Sequence, residues 1–342
     1  MMKILTHIAL AGLLAASMPA NADLVVLQYH HVSDSTPPST STSTSLFRAQ
    51  LDHIEELGLP VATLPEATRQ ALAGQLENQQ KIAITFDDAY GSVYTNAAPL
   101  LRERGYPYTI FINTNAVGKR GYMTWKQLGE LGESPLVTLA NHSADHAHLP
   151  RRPGEGEAAW RRRVQNSLDR AAEALEDRLG DTAPLFAYPY GEYDKALEAM
   201  LAERGWLGYG QQSGAIGETS HNTRLPRFPM ANQYGQLSGL KNKLMSKAFP
   251  VDAETLPDSI LKTNPPELTL QLNKPLDTGR LTCFASGQGR IPVNRIDKTT
   301  ATIRAPDSFS SRRLRYNCTY PAGDGSYYWL SQQWVDLSRP ED

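Results

Sequence analysis

Three short apolar runs, Ile82-Ala83-Ile84, Leu136-Val137-Thr138-Leu139 and Leu185-Phe186-Ala187, each break at their C-terminal end into residues that carry chemistry. Runs of that length between helical stretches read as buried strands. When strands alternate with helices the crossovers make the strands parallel, so that all their C-terminal ends open on one face. This constrains the chain to an α/β fold, a parallel barrel or a partial one, with its polar groups gathered at one end. The intervening sequence agrees. Leu24-Val25-Val26-Leu27 reads as a first buried strand leading to Tyr29-His30-His31, and Tyr108 to Ile112 as another. Phe47, Leu51, Ile54 and Leu57 recur at helical spacing before Gly58, and Val164, Leu168, Ala172, Leu175 and Leu179 do so before Gly180. On the second helix the run Arg161-Arg162-Arg163 reads as a solvated face, and Ser35 to Ser45, with Pro37-Pro38, as an exposed loop.

The first run ends in Thr85-Phe86-Asp87-Asp88-Ala89. Side chains alternate along a strand, so neighbouring aspartates at its exit can point one toward a metal and the other toward a substrate water. The plain alternative is that they cap a turn. Beyond the second run stands Asn141-His142-Ser143-Ala144-Asp145-His146-Ala147-His148, which holds three of the chain's eight histidines. His142 and His146 are four apart, which on a helical turn would place both rings on one face. With one carboxylate they would make an open three-ligand site. The third run continues into Tyr188-Pro189-Tyr190-Gly191-Glu192-Tyr193, a turn able to aim backbone N–H groups at an oxyanion, with Tyr190 closing a pocket wall.

In this order the three segments resemble the polysaccharide deacetylases of carbohydrate esterase family 4, over roughly Asp23 to Pro250. The wording of the third motif and Tyr29-His30-His31-Val32 resemble the subgroup acting on poly-N-acetylglucosamine in biofilm systems. The resemblance implies a distorted (β/α) barrel, Asp87 as catalytic base, and a divalent metal on Asp88, His142 and His146, with Zn2+ expected and Co2+ or Ni2+ fitting the same ligands. It implies an N-deacetylase of an acetylated polysaccharide. An O-acetyl esterase on a glycan such as xylan, or a non-catalytic glycan-binding protein on a decayed esterase fold, are the alternatives.

The departures from the family pattern are as informative. Ala89 replaces the usual glycine of the first motif, a mild change if its φ stays negative. Ala187 stands where many members carry the arginine that orients the catalytic aspartate, so that work is either vacant or done by Arg224 or Arg227, of which Arg227 is preferred. No general-acid histidine follows Gly191 in the usual context, so His30, His31 and His221 are the candidates, with His30 placed first.

From about Val251 the pattern changes to short alternating runs, Leu268 to Leu272, Leu281 to Cys283 and Leu314 to Cys318, after a Pro-rich stretch. The expected organisation is a signal peptide over 1–22, a deacetylase domain over 23–250, a linker over 251–266 and a small C-terminal β-sandwich over 267–342, so that a chain ending near Pro250 would turn over short oligosaccharides. The leader has Lys3, an apolar core from Ile8 to Ala16 and Ala20-Asn21-Ala22 as cleavage site, implying a periplasmic or secreted protein. No integral membrane segment is expected after its removal. Cys283 and Cys318 are the only cysteines and are expected to pair in an oxidising compartment. Tyr327, Tyr328, Trp329 and Trp334 read as the aromatic core of the β domain rather than as a sugar platform. A net charge of −2 gives no sign of a nucleic-acid partner.

Overall fold

The computed structural model describes residues 22–76, 79–180 and 182–341. Residues 1–21 of the expected leader lie outside the described residues. The chain opens with β1 (Leu24–Tyr29), the two-residue strands β2 (His31–Val32) and β3 (Ser41–Thr42), and helices α1 (Thr44–Glu56) and α2 (Leu64–Leu72). Strands and helices then alternate as β4 (Lys81–Asp87), α3 (Ala98–Glu103), β5 (Tyr108–Ile112), α4 (Trp125–Gly132), β6 (Val137–Asn141), α5 (Glu157–Leu179), β7 (Leu185–Ala187), α6 (Lys195–Glu203) and β8 (Leu207–Tyr209). Short β9 (Ala215–Ile216) and β10 (Phe228–Pro229) and helix α7 (Leu237–Leu244) follow. The sheet runs β10-β1-β4-β5-β6-β7-β8, parallel throughout, with β9 antiparallel on β1. It is a curled half-barrel.

β1 and β5 are buried at every residue, as a parallel sheet covered on both faces requires. Alternation sorts their side chains. Val25, Leu27, Ile82, Ile84 and Phe86 join one core with α1, α3 and α4, whereas Leu24, Val26, Ala83, Phe111, Ala140 and Ala187 join another with α2. Asp87 shares parity with Ala83 and Thr85, so the pleat itself turns its carboxylate away from the Phe86 core.

Two local expectations change. Ser41 and Thr42 are buried, β3 pairs with β2, and Thr42 Oγ1 donates to Met230 O at 2.8 Å, so the Ser/Thr tract is only partly an exposed loop. On α5, Arg161 and Arg162 face solvent, but Arg163 donates to Glu155 and to the carbonyls of His148 and Pro150, clasping the loop that follows the histidines.

β11 (Lys247–Ala248), β12 (Glu267–Gln271), β13 (Thr282–Ala285), β14 (Gly289–Ile291), β15 (Val293–Arg295), β16 (Thr300–Arg304), β17 (Arg313–Pro321) and β18 (Tyr327–Val335) complete the chain. They form a sheet ordered β11-β18-β17-β13-β14 and a second ordered β12-β16-β15, whose inward faces share one core. Cys283 and Cys318 lie opposite each other on β13 and β17, fully buried and joined as a disulfide. Trp334 belongs to this core, edge-on to Tyr316 at 4.9 Å. Trp329 does not: it packs on Phe228 of the half-barrel at 5.2 Å.

The C-terminal sheets also grip the third motif. Glu192, fully buried, receives Arg312 on both oxygens at 2.8 and 2.9 Å and Arg313 at 3.0 Å, and Gln333 Nε2 donates to Gly191 O. Removing the cation from a buried pair leaves a carboxylate without its counter-charge, a loss of about 3–5 kcal/mol. A chain ending near Pro250 is therefore expected to be inactive on short and long oligosaccharides alike and to melt well below the full chain, the reverse of the sequence-based expectation. Thermal melting and turnover of the two chains side by side check it.

Candidate active site

Five described non-glycine residues have positive φ: Asp88 (71°), Ala89 (57°), Ser143 (66°), His146 (51°) and Tyr190 (58°). All fall on the three motifs. Each such residue costs on the order of 1–3 kcal/mol and persists only where its surroundings enforce it. Ala89 is thus not the mild replacement that a negative φ would have made it. Its carbonyl accepts from Met123 N at 2.9 Å and its side chain is buried, which holds the turn.

Asp87 is clamped. Arg227 Nη1 donates to its Oδ1 at 2.7 Å and Nη2 to its Oδ2 at 2.8 Å, while Gln28 Nε2 from β1 donates to Oδ2 at 2.7 Å. A carboxylate offers about four acceptor sites, so these three donors leave about one for a water. Arg227 is itself fully buried and is steadied by Gly210 O at 2.9 Å and Thr85 Oγ1 at 3.2 Å. Burial alone would raise the Asp87 pKa, but Arg227, and after it His142, hold it well below the usual carboxylate range. The arginine comes from just before β10 rather than from the third motif, where Ala187 stands. Arg224, the other candidate, is spent elsewhere, paired through two 2.6 Å hydrogen bonds with Glu198.

Asp88, His142 and His146 offer ligand atoms that all lie within 4.8 Å of one another. The histidines do not share a helical turn as their spacing suggested. The segment after β6 is an irregular loop, and its left-handed residues Ser143 and His146 swing the second ring back. His142 Nδ1 donates to Ala187 O at 2.7 Å, a bond that places the ring proton on Nδ1 and leaves Nε2 as the lone-pair atom. That Nε2 is buried with no hydrogen-bond partner, 3.6 Å from Asp88 Oδ1, and His146 Nε2 lies 3.3 Å from the same oxygen. Burial, and then His142, push the His146 pKa down to about 4, so its imidazole is neutral at pH 7. An orphaned lone pair facing a carboxylate and a second neutral imidazole is a donor set that fits a divalent cation. Asn113 Nδ2 donates to Asp88 Oδ1 at 3.3 Å, orienting the carboxylate from behind. Alanine at His142 or at His146 is expected to lower bound metal from a single ion per chain to a small fraction of that, read as metal content after dialysis. Unchanged stoichiometry would reject the ligand set.

Tyr190 lies parallel to His148 at 3.8 Å and 4.6 Å from His146, with the Arg313 guanidinium 5.5 Å over its ring. The N–H groups of Gly191 and Glu192 donate inside the turn to Tyr188 O and Pro189 O. Of the candidate acids, His30 lines the same groove as Asp88 and His146, with Nε2 3.9 Å from Asp87 Oδ2. His31 is stacked on Tyr90 at 3.6 Å, and His221 lies in another cavity beside Glu254 and Arg224. Gln28, Asn113 and Glu192 escaped the sequence reading. Only Gln28, a polar residue inside an apolar strand, left a signal there. The groove has a volume of about 990 Å³ and takes part of its wall from β17 and β18.

Residues 75–207 match the family model described as polysaccharide deacetylase. The poly-beta-1,6-N-acetyl-D-glucosamine N-deacetylase of Escherichia coli K12 is 22% identical, over 93% of this chain and 54% of its own length. The protein of the same name from Staphylococcus epidermidis is 25% identical, over 56% of this chain and 68% of its own. The YxkH protein of Bacillus subtilis is 23% identical, over 57% of this chain and 66% of its own. The chain thus spans less than two thirds of the Bacillus and Escherichia relatives. Among solved structures, IcaB from Ammonifex degensii has a TM-score of 0.55 at 26% identity, over 64% of this chain and 94% of its own. The BpsB deacetylase domain of Bordetella bronchiseptica has a TM-score of 0.52 at 24% identity, over 62% and 97%.

Proposed function

We propose that this chain, whose residues 75–207 match the polysaccharide deacetylase family model, is a metal-dependent hydrolase that removes N-acetyl groups from an N-acetylglucosamine polymer. The observation that carries this reading is the orphaned His142 Nε2 facing Asp88 and His146, beside the Arg227-clamped Asp87. The relatives named as poly-beta-1,6-N-acetyl-D-glucosamine N-deacetylases support the substrate class.

In this reading Asp88, His142 and His146 hold the cation, Zn2+ by the chemistry of the donors, with Co2+ or Ni2+ as substitutes. When bound it supplies Lewis acidity toward the acetamide carbonyl and makes a nearby water more acidic. Asp87 accepts the proton of the attacking water on the acceptor site its three donors leave open. Arg227 keeps that carboxylate ionised and fixed in direction, at the expense of basicity. His30, the histidine candidate that lines the groove, donates a proton to the departing amine. Tyr190, held flat against His148, walls the acetyl side of the groove. The same reading assigns residues 23–250 to the chemistry, 267–342 to an accessory pair of sheets joined through 251–266, and residues 1–22 to export, with action in the periplasm or outside the cell. No described helix is long and apolar enough to cross a membrane.

The test is incubation of the zinc-supplied protein with β-1,6-linked N-acetylglucosamine oligosaccharides and, separately, O-acetylated xylan fragments, measuring free amine and free acetate independently. Equal amounts of amine and acetate from the first substrate are expected. Acetate without amine, from the second, would make the protein an esterase.

A further inference from the structure

On β17, Arg313, Arg315 and Asn317 are half-buried while Leu314, Tyr316 and Cys318 are fully buried. Alternation therefore puts the three polar side chains on one face of the strand, and all three line the groove that holds Asp88 and His146. Arg313 is paired with Glu192 at 3.0 Å, a carboxylate it shares with Arg312. Arg315 is not: its guanidinium makes no ion pair among the described residues, and burial together with the charge of Arg313 works against its protonated form. In the same lining, Lys243 adds a further cation, its pKa pushed down to about 8 by burial and so still charged at pH 7. The sole carboxylate in that lining is Asp88, which the proposed reading gives to the metal. Asp88, His146 and Glu192 fall within residues 75–207, whereas Lys243, Arg313 and Arg315 belong to sequence outside the family match.

A groove of about 990 Å³ lies at the top of the range, roughly 300–1,000 Å³, that encloses a drug-sized ligand, so it has room for more than one sugar unit. Hydrolysis of an acetamide breaks the C–N bond, gives the carbonyl carbon a water oxygen, releases acetate, and leaves an amine that takes up a proton at neutral pH. Each turnover thus converts a neutral sugar into a cation. Resting on the deacetylase reading above, we infer that Arg315, with Lys243 in the same lining, makes the position flanking the reacting sugar reject a protonated glucosamine, so that acetyl groups are removed at spaced units and not from neighbours in succession. Trp329, which lines the same groove and packs on Phe228, supplies an apolar face to a flanking neutral ring.

Two measurements on the full-length protein test this. The first is equilibrium binding of a fully acetylated and a fully deacetylated β-1,6-linked pentamer. Like charges several ångströms apart at an interface are expected to favour the acetylated pentamer by about three- to tenfold at low salt, with the ratio shrinking as salt is raised. Arg315→Gln should close most of that gap and Arg315→Lys should keep it. The second is sequencing, by fragmentation mass spectrometry, of pentamers that have lost two acetyl groups. The unaltered protein should leave the two amines apart, and Arg315→Gln should raise the share of adjacent pairs. An affinity ratio and a product map identical in the unaltered protein and Arg315→Gln would overturn the inference. Absence of amine release by the unaltered protein would instead sink the deacetylase reading, and the affinity ratio would still decide the role of Arg315.

Discussion

Asp87→Asn is expected to lower turnover by about 10²–10⁴-fold, the usual contribution of a positioned general base, while metal content stays unchanged. The amide has the size of the carboxylate and still receives Gln28, so the pocket keeps its shape, but it no longer accepts a proton. The structure adds a second consequence. Arg227 is fully buried and its fork was matched to two carboxylate oxygens, so the variant also loses stability. Turnover therefore has to be measured well below its melting temperature, with metal content taken on the same sample. Activity within a few-fold of the parent would place the base elsewhere.

The second large effect is on the other half of the pair. Arg227→Met leaves the Asp87 carboxylate buried with Gln28 as its main remaining donor, and the chain is expected to lose about 3–5 kcal/mol at neutral pH, as when one partner of a buried ion pair is removed. The pH dependence follows from the sign of the shift. In the parent the folded-state pKa of Asp87 lies below its unfolded value, burial being outweighed by Arg227. The pair's contribution is therefore present above the unfolded pKa and is lost as pH falls through the folded one. Without Arg227, burial dominates and the folded pKa rises above the unfolded value. The penalty then fades on acidification, because the protonated acid can be buried neutral. Denaturant midpoints of parent and variant should diverge between about pH 4 and 7. The double variant Asp87→Asn, Arg227→Met should recover much of the stability and none of the activity, since neither charge is then left alone. A variant as stable as its parent at pH 7 would contradict the clamp.

The half-barrel and the meeting of Asp88, His142 and His146 were legible because they rest on local rules. Apolar runs of fixed length gave the parallel strands, alternation gave the two faces of β4, and strand-end positions placed Asp88, His142 and His146 on one face of the sheet. What was not legible depends on contacts between distant segments. The spacing of the two histidines suggested a helical turn, but left-handed Ser143 and His146 bring the rings together, and the modest enrichment of histidine in that region is too weak to announce such a backbone from sequence. Arg227 was preferred only slightly to Arg224, and only the fold shows that it reaches Asp87 across 140 residues. Glu192 gave no signal at all, since the three side chains that make it a buried, fully bonded anion come from His148, Arg312 and Arg313. The aromatic cluster divides for the same reason, Trp334 into the β core and Trp329 toward the groove.

The clasp on Glu192 bears on when the proposed catalytic groove is completed during folding. Its guanidinium partners lie 120 and 121 residues further along the chain, and contacts of such separation are among the last to form, because the intervening loop must close first. The half-barrel, with its local βα contacts, can assemble around Asp87, Asp88 and the two histidines while the turn bearing Tyr190 still lacks its anchor. Docking of β17 then sets that turn and raises the cationic wall of the groove in one event. The chain's last strands thus act as a completion signal, and a partly synthesised or partly folded molecule holds Asp88, His142 and His146 without a finished groove.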